Sequence, residues 1–320
     1  MKIMLGLVSV LAACTLAPTA LAQESYPNKP IRLIVPYPPG GATDVVGRQL
    51  AAKLSPLLGQ SAVVENRAGA SGVIGFDFVA KAPPDGYTLL VGTANMTIVA
   101  AFGKAPYNPM TDFAPVSTLV SSQNLLVVRT GLPANTIGEL VAYAKANPGK
   151  LTYGTSGIGT PQMSFELLKG LAGITMVGVP YKGDAPAITD VIGGQIDMYA
   201  STVAGLIGHV KSGKMKALGV TGAKRASSLA DVPTIAEAGV RGYELTSWYG
   251  ILAPGGTPAA IVKKLNEAIV AAVAMPDLQA QMIAGGSDPL SSSPEEFAQR
   301  IRSDVEKYSK LVREFKLQAD

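Results

Sequence analysis

Histidine and cysteine occur once each in the 320 residues, as His209 and Cys14. A multi-histidine metal cluster is thereby excluded, and only one imidazole base is on offer. Cys14 falls within an N-terminal targeting segment, so once that segment is removed no disulfide, thiolate metal site or cysteine nucleophile can be built. Charge of neither sign dominates: 27 basic and 23 acidic residues leave a net +4 with no long block, which argues against nucleic acid as a partner. Past residue 22 there is no apolar run long enough to span a bilayer, so the mature chain is expected to be soluble.

What is present is ample material for a core. With 48% apolar residues, the chain can build two domains of ordinary size. Residues 1–22 stand apart: Lys2, an apolar run from Ile3 to Ala17, then Ala20, Leu21 and Ala22 before Gln23. This is the charged end, apolar middle and small-residue cleavage site of a secretory signal, and predicts a periplasmic protein cut after Ala22. The alternative is lipidation at Cys14. Cleavage after Ala22 is favoured, because a lipoprotein usually continues in polar residues and this chain stays apolar to Leu21.

Strand-like and helix-like runs then alternate, the pattern of an α/β protein with mainly parallel sheets flanked by helices. Strands are predicted at Ile31–Val35, Ala62–Glu65, Tyr87–Gly92, Leu125–Arg129, Leu151–Tyr153, Met176–Tyr181, Ile196–Ala200 and Ala217–Thr221. Val46, Leu50, Leu54 and Leu57 recur at helical spacing after the first strand. Thr136 with Glu139 and Ser293 with Glu296 have capping-box spacing, and Thr257 before Pro258 reads as an N-cap with a first-turn proline. Long amphipathic stretches at Pro258–Ala274 and Pro294–Phe315 predict a helical tail. The Ser- and Gln-containing stretch before Leu125, and Arg241–Trp248, read as crossings between lobes. They place residues 23–123 plus 247–320 in one discontinuous lobe and 124–246 in a second.

Two glycine-rich turns, each after a strand and before a helix, are the sharpest local features. One runs from Pro36 through Pro38, Gly40 and Gly41 to Asp44, the other from Gly154 through Thr155, Ser156 and Gly159 to Thr160 and Pro161. Glycine lets a ligand approach the backbone, and the N–H groups and dipole of the following helix attract an anion. One such turn is as well explained by ordinary capping; two on opposite lobes favour a shared ligand. Neither has the Lys-Ser/Thr ending of a phosphate loop nor the spacing of a dinucleotide fingerprint, so carboxylate is preferred to phosphate and no cofactor is predicted. Asp184 and Asp197 could touch a ligand or be plain turn residues. Trp248 and Tyr249 could wall a pocket or be core. His209 reads as exposed or capping. Without a second histidine or another base near Thr155, Ser156 or Thr160, no hydrolase triad can be assembled, and the chain reads as a binding protein, not an enzyme.

Several stretches together resemble one family, the solute-binding receptors of tripartite tricarboxylate transporters, or Bug family. They are PYPPGGATD at Pro36–Asp44, VENRAGASGVIG at Val64–Gly75, PPDGYTLLVG at Pro83–Gly92, DFAPV at Asp112–Val116, YGTSGIGTPQ at Tyr153–Gln162, PYKGDAPAITDVIGGQID at Pro180–Asp197, DVPTIAEAG at Asp231–Gly239 and SWYGILAPGGTP at Ser247–Pro258. The resemblance implies a two-lobed periplasmic-binding fold of the type II, Venus-flytrap kind, holding a ligand carboxylate between the two turns, partly through water. It implies a binding set of Pro38, Gly40, Gly41 and Asp44 on one lobe and Thr155, Ser156, Gly159 and Thr160 on the other, with Thr93, Asn95, Asp184, Ser201 and Thr202 as wall residues. It also implies delivery of the carboxylate to the membrane subunits of a transporter. The chain is read as a monomer; the alternatives are presentation of the ligand to a membrane sensor and, less favoured, an enzyme on the same two-lobe fold. Three departures stand out: Ala68 where proline is common, Asp184 where glycine is common, and Thr97–Phe102 without the usual asparagine. The last two are expected to face the cleft and to set which carboxylate is taken.

Overall fold

The computed structural model describes residues 26–317. The predicted N-terminal targeting segment, with the cleavage predicted after Ala22, lies outside the described residues. Twenty elements follow one another as β1 (Ile31–Val35), α1 (Ala42–Leu58), β2 (Ala62–Asn66), α2 (Val73–Ala80), β3 (Thr88–Thr93), α3 (Asn95–Ala101), β4 (Phe113–Arg129), α4 (Ile137–Ala146), β5 (Thr152–Thr155), α5 (Thr160–Ala172), β6 (Val177–Pro180), α6 (Asp184–Ile192), β7 (Met198–Thr202), α7 (Val203–Lys211), β8 (Met215–Val220), β9 (Thr246–Pro254), α8 (Ala259–Val273), α9 (Pro276–Ala284), β10 (Asp288–Pro289) and α10 (Pro294–Glu314).

The strands make two sheets that share β4. In the first, β2, β1 and β3 run parallel, then β9 and β4 run antiparallel to their neighbours, with β10 pairing β4. In the second, β4 is antiparallel to both β8 and β7, and the parallel strands β5 and β6 continue beyond β7. The sheets are therefore mixed, where alternation of strands and helices had predicted mainly parallel ones. The physical reason is that the chain crosses directly between the sheets on β4 and β9: β9 runs against β1–β3 in the first sheet, and β4 runs against β5–β8 in the second. Along β4 the partner changes at one step: Gln123 is opposite Thr246 of β9, and Asn124 is opposite Thr202 of β7.

Burial follows the apolar periodicity. Val46, Leu50 and Leu54 of α1 pack beneath β1 and β3, whereas Leu57, on the same predicted stripe, is 41% exposed in the last turn, before the left-handed Gly59. Every residue of β3 is buried, as a strand covered on both faces requires. Trp248 of β9 is core: its indole N–H donates to Asp304 of α10, 2.7 Å away, and its ring meets Phe297 edge-on. The last turns of α10 reach the core of the second sheet, where Tyr308 packs with Phe165 and Leu168.

Two of the three predicted helix starts match. The Thr136 hydroxyl accepts from the Glu139 N–H, and Ser293 and Glu296 form a reciprocal capping box. At α8 the start is one residue later than predicted: Pro258 occupies the N-cap, and the Thr257 hydroxyl donates to the Pro254 carbonyl instead of capping. Among the described residues no helix is long and apolar enough to cross a membrane.

Candidate functional site

A cavity of about 400 Å³ lies where the two sheets meet. Its lining includes the opening residues of four helices of nine residues or more: Gly41, Ala42 and Thr43 at α1, Gly159 and Thr160 at α5, Gly183 and Asp184 at α6, and Thr202 at α7. The positive ends of four helix dipoles thus converge on one space. Asp184 is the one charged side chain in that lining; no Lys or Arg contributes.

The α1 turn is held from behind. Gly40 takes a left-handed φ of +84°, a conformation cheap only for glycine, and turns its N–H to the Asp44 carboxylate at 2.9 Å. Asp44 also accepts from Arg48 at 2.9 Å and from Asn66 at 2.8 Å, and the same Asn66 amide donates to the Tyr37 carbonyl. Burial pushes the Asp44 carboxyl up, but the bonds from Arg48, Gly40 and Asn66, with the Arg48 charge, outweigh it and hold the carboxyl below its usual range. Asp44 is therefore buried and turned away from the cavity, and it acts by shaping the turn. The N–H groups of Ala42 and Thr43, at the cavity wall, are left without a carbonyl partner among the described residues.

The α5 turn differs. Asn95, at the start of α3, places its Oδ1 3.2 Å from the Thr160 N–H and accepts from it, while Pro161 has no N–H to give. Gly159 is needed for this contact, since a Cβ there would stand 2.9 Å from the Asn95 amide. Close to Asn95, the Tyr37 hydroxyl lies 3.0 Å from Thr93 Oγ1. The Asn95–Thr160 bond joins α3, which follows β3 of the first sheet, to α5. Burial pushes Tyr37 up to about 12, so its phenol stays protonated at neutral pH.

The third wall is a relay. Tyr199 of β7 donates to Asp184 Oδ1 at 2.7 Å and lies 3.1 Å from Ser156 Oγ, while Ser201 donates to Asp184 Oδ2. A phenol has one proton, and the ionised carboxylate is the stronger acceptor, so the Ser156 hydroxyl must donate to Tyr199. Burial first, then the Asp184 charge, raises Tyr199 well above its ordinary value. Tyr249 of β9 completes the lining; burial raises its phenol too, and the charge of Asp184 at the start of α6 contributes.

Of the predicted site residues, Pro38, Gly41, Thr93, Asn95, Ser156, Gly159, Thr160, Asp184, Ser201 and Thr202 line this cavity together. Gly40 lines an adjoining cavity of about 340 Å³ that shares Gly41, Ala42, Asp184 and Thr202 with the first. Thr155, the last residue of β5, is buried and lines neither, and Asp44 lies behind its turn. Thr97 does not face the cleft: it is fully buried and its hydroxyl donates to the Ala94 carbonyl. Asp197 pairs with Arg129 and holds the β5 backbone at Thr152. His209 sits in the last turn of α7, about 10 Å of helix from the Thr202 end. Residues not predicted but present in the lining include Tyr37, Ser71, Ser122, Asn124 and Ser247. Tyr37 stood inside the first motif, and a run of polar residues in a buried crossing strand was the signal for Ser122 and Asn124.

Comparison with known proteins gives a consistent answer. Residues 46–317 match the family described as TctC, tripartite tricarboxylate transporter family receptor. A protein encoded in the tcbD-tcbE intergenic region of Pseudomonas sp. strain P51 is 37% identical over 97% of this chain and 93% of its own length. BugT of Bordetella pertussis is 32% identical over 97% of both chains. Among solved structures, a protein of R. palustris with adipate has a TM-score of 0.83 at 35% identity, covering 92% of this chain and 99% of that one. The periplasmic binding protein BugD has a TM-score of 0.80 at 35% identity, covering 92% and 99%. MatC from Rhodopseudomonas palustris with bound malate has a TM-score of 0.79 at 32% identity, covering 90% and 100%.

Proposed function

The chain belongs to the tripartite tricarboxylate transporter receptor family, and from that premise we propose that it captures a small organic carboxylate in the 400 Å³ cavity and hands it to the membrane subunits of such a transporter. The observation that carries the reading is the convergence of helix N-termini on a cavity without Lys or Arg. An anion there is met by backbone N–H groups and dipoles, chiefly Ala42 and Thr43 behind the open Gly41. The second turn contributes through Asn95 and the Thr160 hydroxyl. Adipate and malate in the related structures fit a pocket built for carboxylates.

In this reading the molecule has two lobes, 23–123 plus 247–320 and 124–246, which close on the ligand. The change of β4 partner between Gln123 and Asn124, and the start of β9 at Thr246, support these boundaries. The protein acts as a monomer in the periplasm after cleavage behind Ala22, and it leaves the ligand unchanged. Among the residues of the lining there is no imidazole to take a proton from a serine or threonine.

A thermal-shift screen of carboxylates on the mature protein, followed by mass spectrometry of the recovered ligand, tests the reading. A stabilising carboxylate recovered intact is expected; conversion of it would contradict a receptor. N-terminal sequencing of periplasmic protein should begin at Gln23, and a lipid-modified Cys14 would contradict the cleavage site.

A further inference from the structure

The cavity is asymmetric in charge, and this bears on what the ligand carries besides its carboxylate. Asp184 is exposed toward the space, and it lines both the main cavity and the adjoining one. An ionised carboxylate offers about four acceptor positions. Tyr199 and Ser201 use one on each oxygen. With the Tyr199 proton given to Asp184, the neighbouring Ser156 has spent its own proton on Tyr199 and presents lone pairs. One wall of the cavity is thus rich in acceptors and carries a full negative charge, while the α1 end offers N–H donors.

We infer, on the basis of the carboxylate reading above, that the ligand is a carboxylate bearing a hydrogen-bond donor, an ammonium or hydroxyl group, which Asp184 accepts, and that Asp184 selects against a second carboxylate. A monoanion is served by the helix ends alone. A dianion brings a second negative charge into a lining whose single charged side chain is already negative, and like charges across a closed site are strongly unfavourable. A donor group instead satisfies the open positions on Asp184 and, if cationic, neutralises it.

The test is titration calorimetry of the mature protein and its Asp184→Asn variant with two matched series. One is hexanoate, 6-hydroxyhexanoate, 6-aminohexanoate and adipate; the other is benzoate, 4-hydroxybenzoate, 4-(aminomethyl)benzoate and terephthalate. Circular dichroism checks that the variant is folded, which an exposed, near-isosteric change should permit. Within a series that binds, the donor-bearing acid should exceed the diacid by about tenfold or more in affinity in the wild type, and the ratio should fall toward unity in Asp184→Asn. A diacid that binds the wild type as tightly as its donor-bearing partner, or a ratio unchanged by the substitution, overturns the inference and leaves the receptor reading standing. Failure of every acid in both series to bind the wild type would overturn the carboxylate reading itself.

Discussion

The two glycine-rich turns look interchangeable in sequence, each a strand end, a run of Gly and hydroxyl residues and a helix start, yet they present different chemistry. At α1 the turn is braced by its own neighbourhood: Asp44 gathers Gly40, Arg48 and Asn66 behind the loop, and the first-turn N–H groups stay open to the cavity. At α5 the first N–H is already taken by Asn95 at the start of α3, and the next residue is proline. One helix end is kept ready for an anion. The other is propped by a side chain that also ties the two halves of the molecule together. A shared local motif therefore fixes where a helix begins, but tertiary neighbours decide whether its end is available.

If the α1 turn is braced by Asp44, removing that carboxylate should produce the largest loss of stability. Asp44→Ala leaves the Gly40 N–H without its acceptor and takes from the Asn66 amide one of its two, and should cost about 2–3 kcal/mol in urea unfolding, with weaker ligand binding because the turn loosens. An unchanged midpoint would show that the turn needs no brace. The same contrast has a pH signature. A carboxyl held below its ordinary value contributes stability that is full above the unfolded value and is lost as pH falls through the folded one. The advantage of wild type over Asp44→Asn should thus be complete at pH 7 and shrink only below about pH 4, as measured by melting temperature across the range.

The α5 end should respond less. Asn95→Ala removes one tertiary hydrogen bond, worth about 0.5–1.5 kcal/mol, and should raise hydrogen exchange at the Thr160 amide while leaving the Asp44 cluster protected. Equal deprotection of both turns would mean that they are not separately supported. The smallest effect is expected far from either: Thr136→Ala deletes the α4 cap at about 1 kcal/mol and should not change ligand affinity.

Much of the fold was readable because it depends on local chemistry. The capping pairs at Thr136 and Ser293 place α4 and α10, and the apolar stripe of Val46, Leu50 and Leu54 places the buried face of α1. The crossing strands were harder. The first eleven residues of β4 mix Pro115 and several Ser and Thr residues with apolar ones, and β9 carries Trp248, Tyr249 and Gly250, so neither shows strict alternation. They are strands because pairing satisfies their backbone, β9 between β3 and β4 and this part of β4 along β9 with two residues of β10 on its other side, which is a property of the assembled sheet. The site divides the same way. Glycine turns announced Gly41 and Gly159, whereas the Asn95 plug, the Ser156–Tyr199–Asp184 relay and the inward turn of Asp44 depend on residues 15 to 65 positions apart, or on which way a side chain points within its own turn.

The central claim is that the ligand's carboxylate rests against the open end of α1, and Gly41→Val tests it most directly. A Cβ at Gly41 would meet nothing closer than the Pro38 carbonyl at 3.6 Å, and the residue is exposed to the cavity, so the variant should fold as the wild type does. Its side chain would occupy the space through which an anion reaches the Ala42 and Thr43 N–H groups. Titration calorimetry with a carboxylate found by the thermal-shift screen should then show affinity reduced about tenfold to a hundredfold, the worth of one hydrogen bond to a charged group, with an unchanged melting temperature in the absence of ligand. A folded Gly41→Val protein that binds the same carboxylate with wild-type affinity would contradict the account.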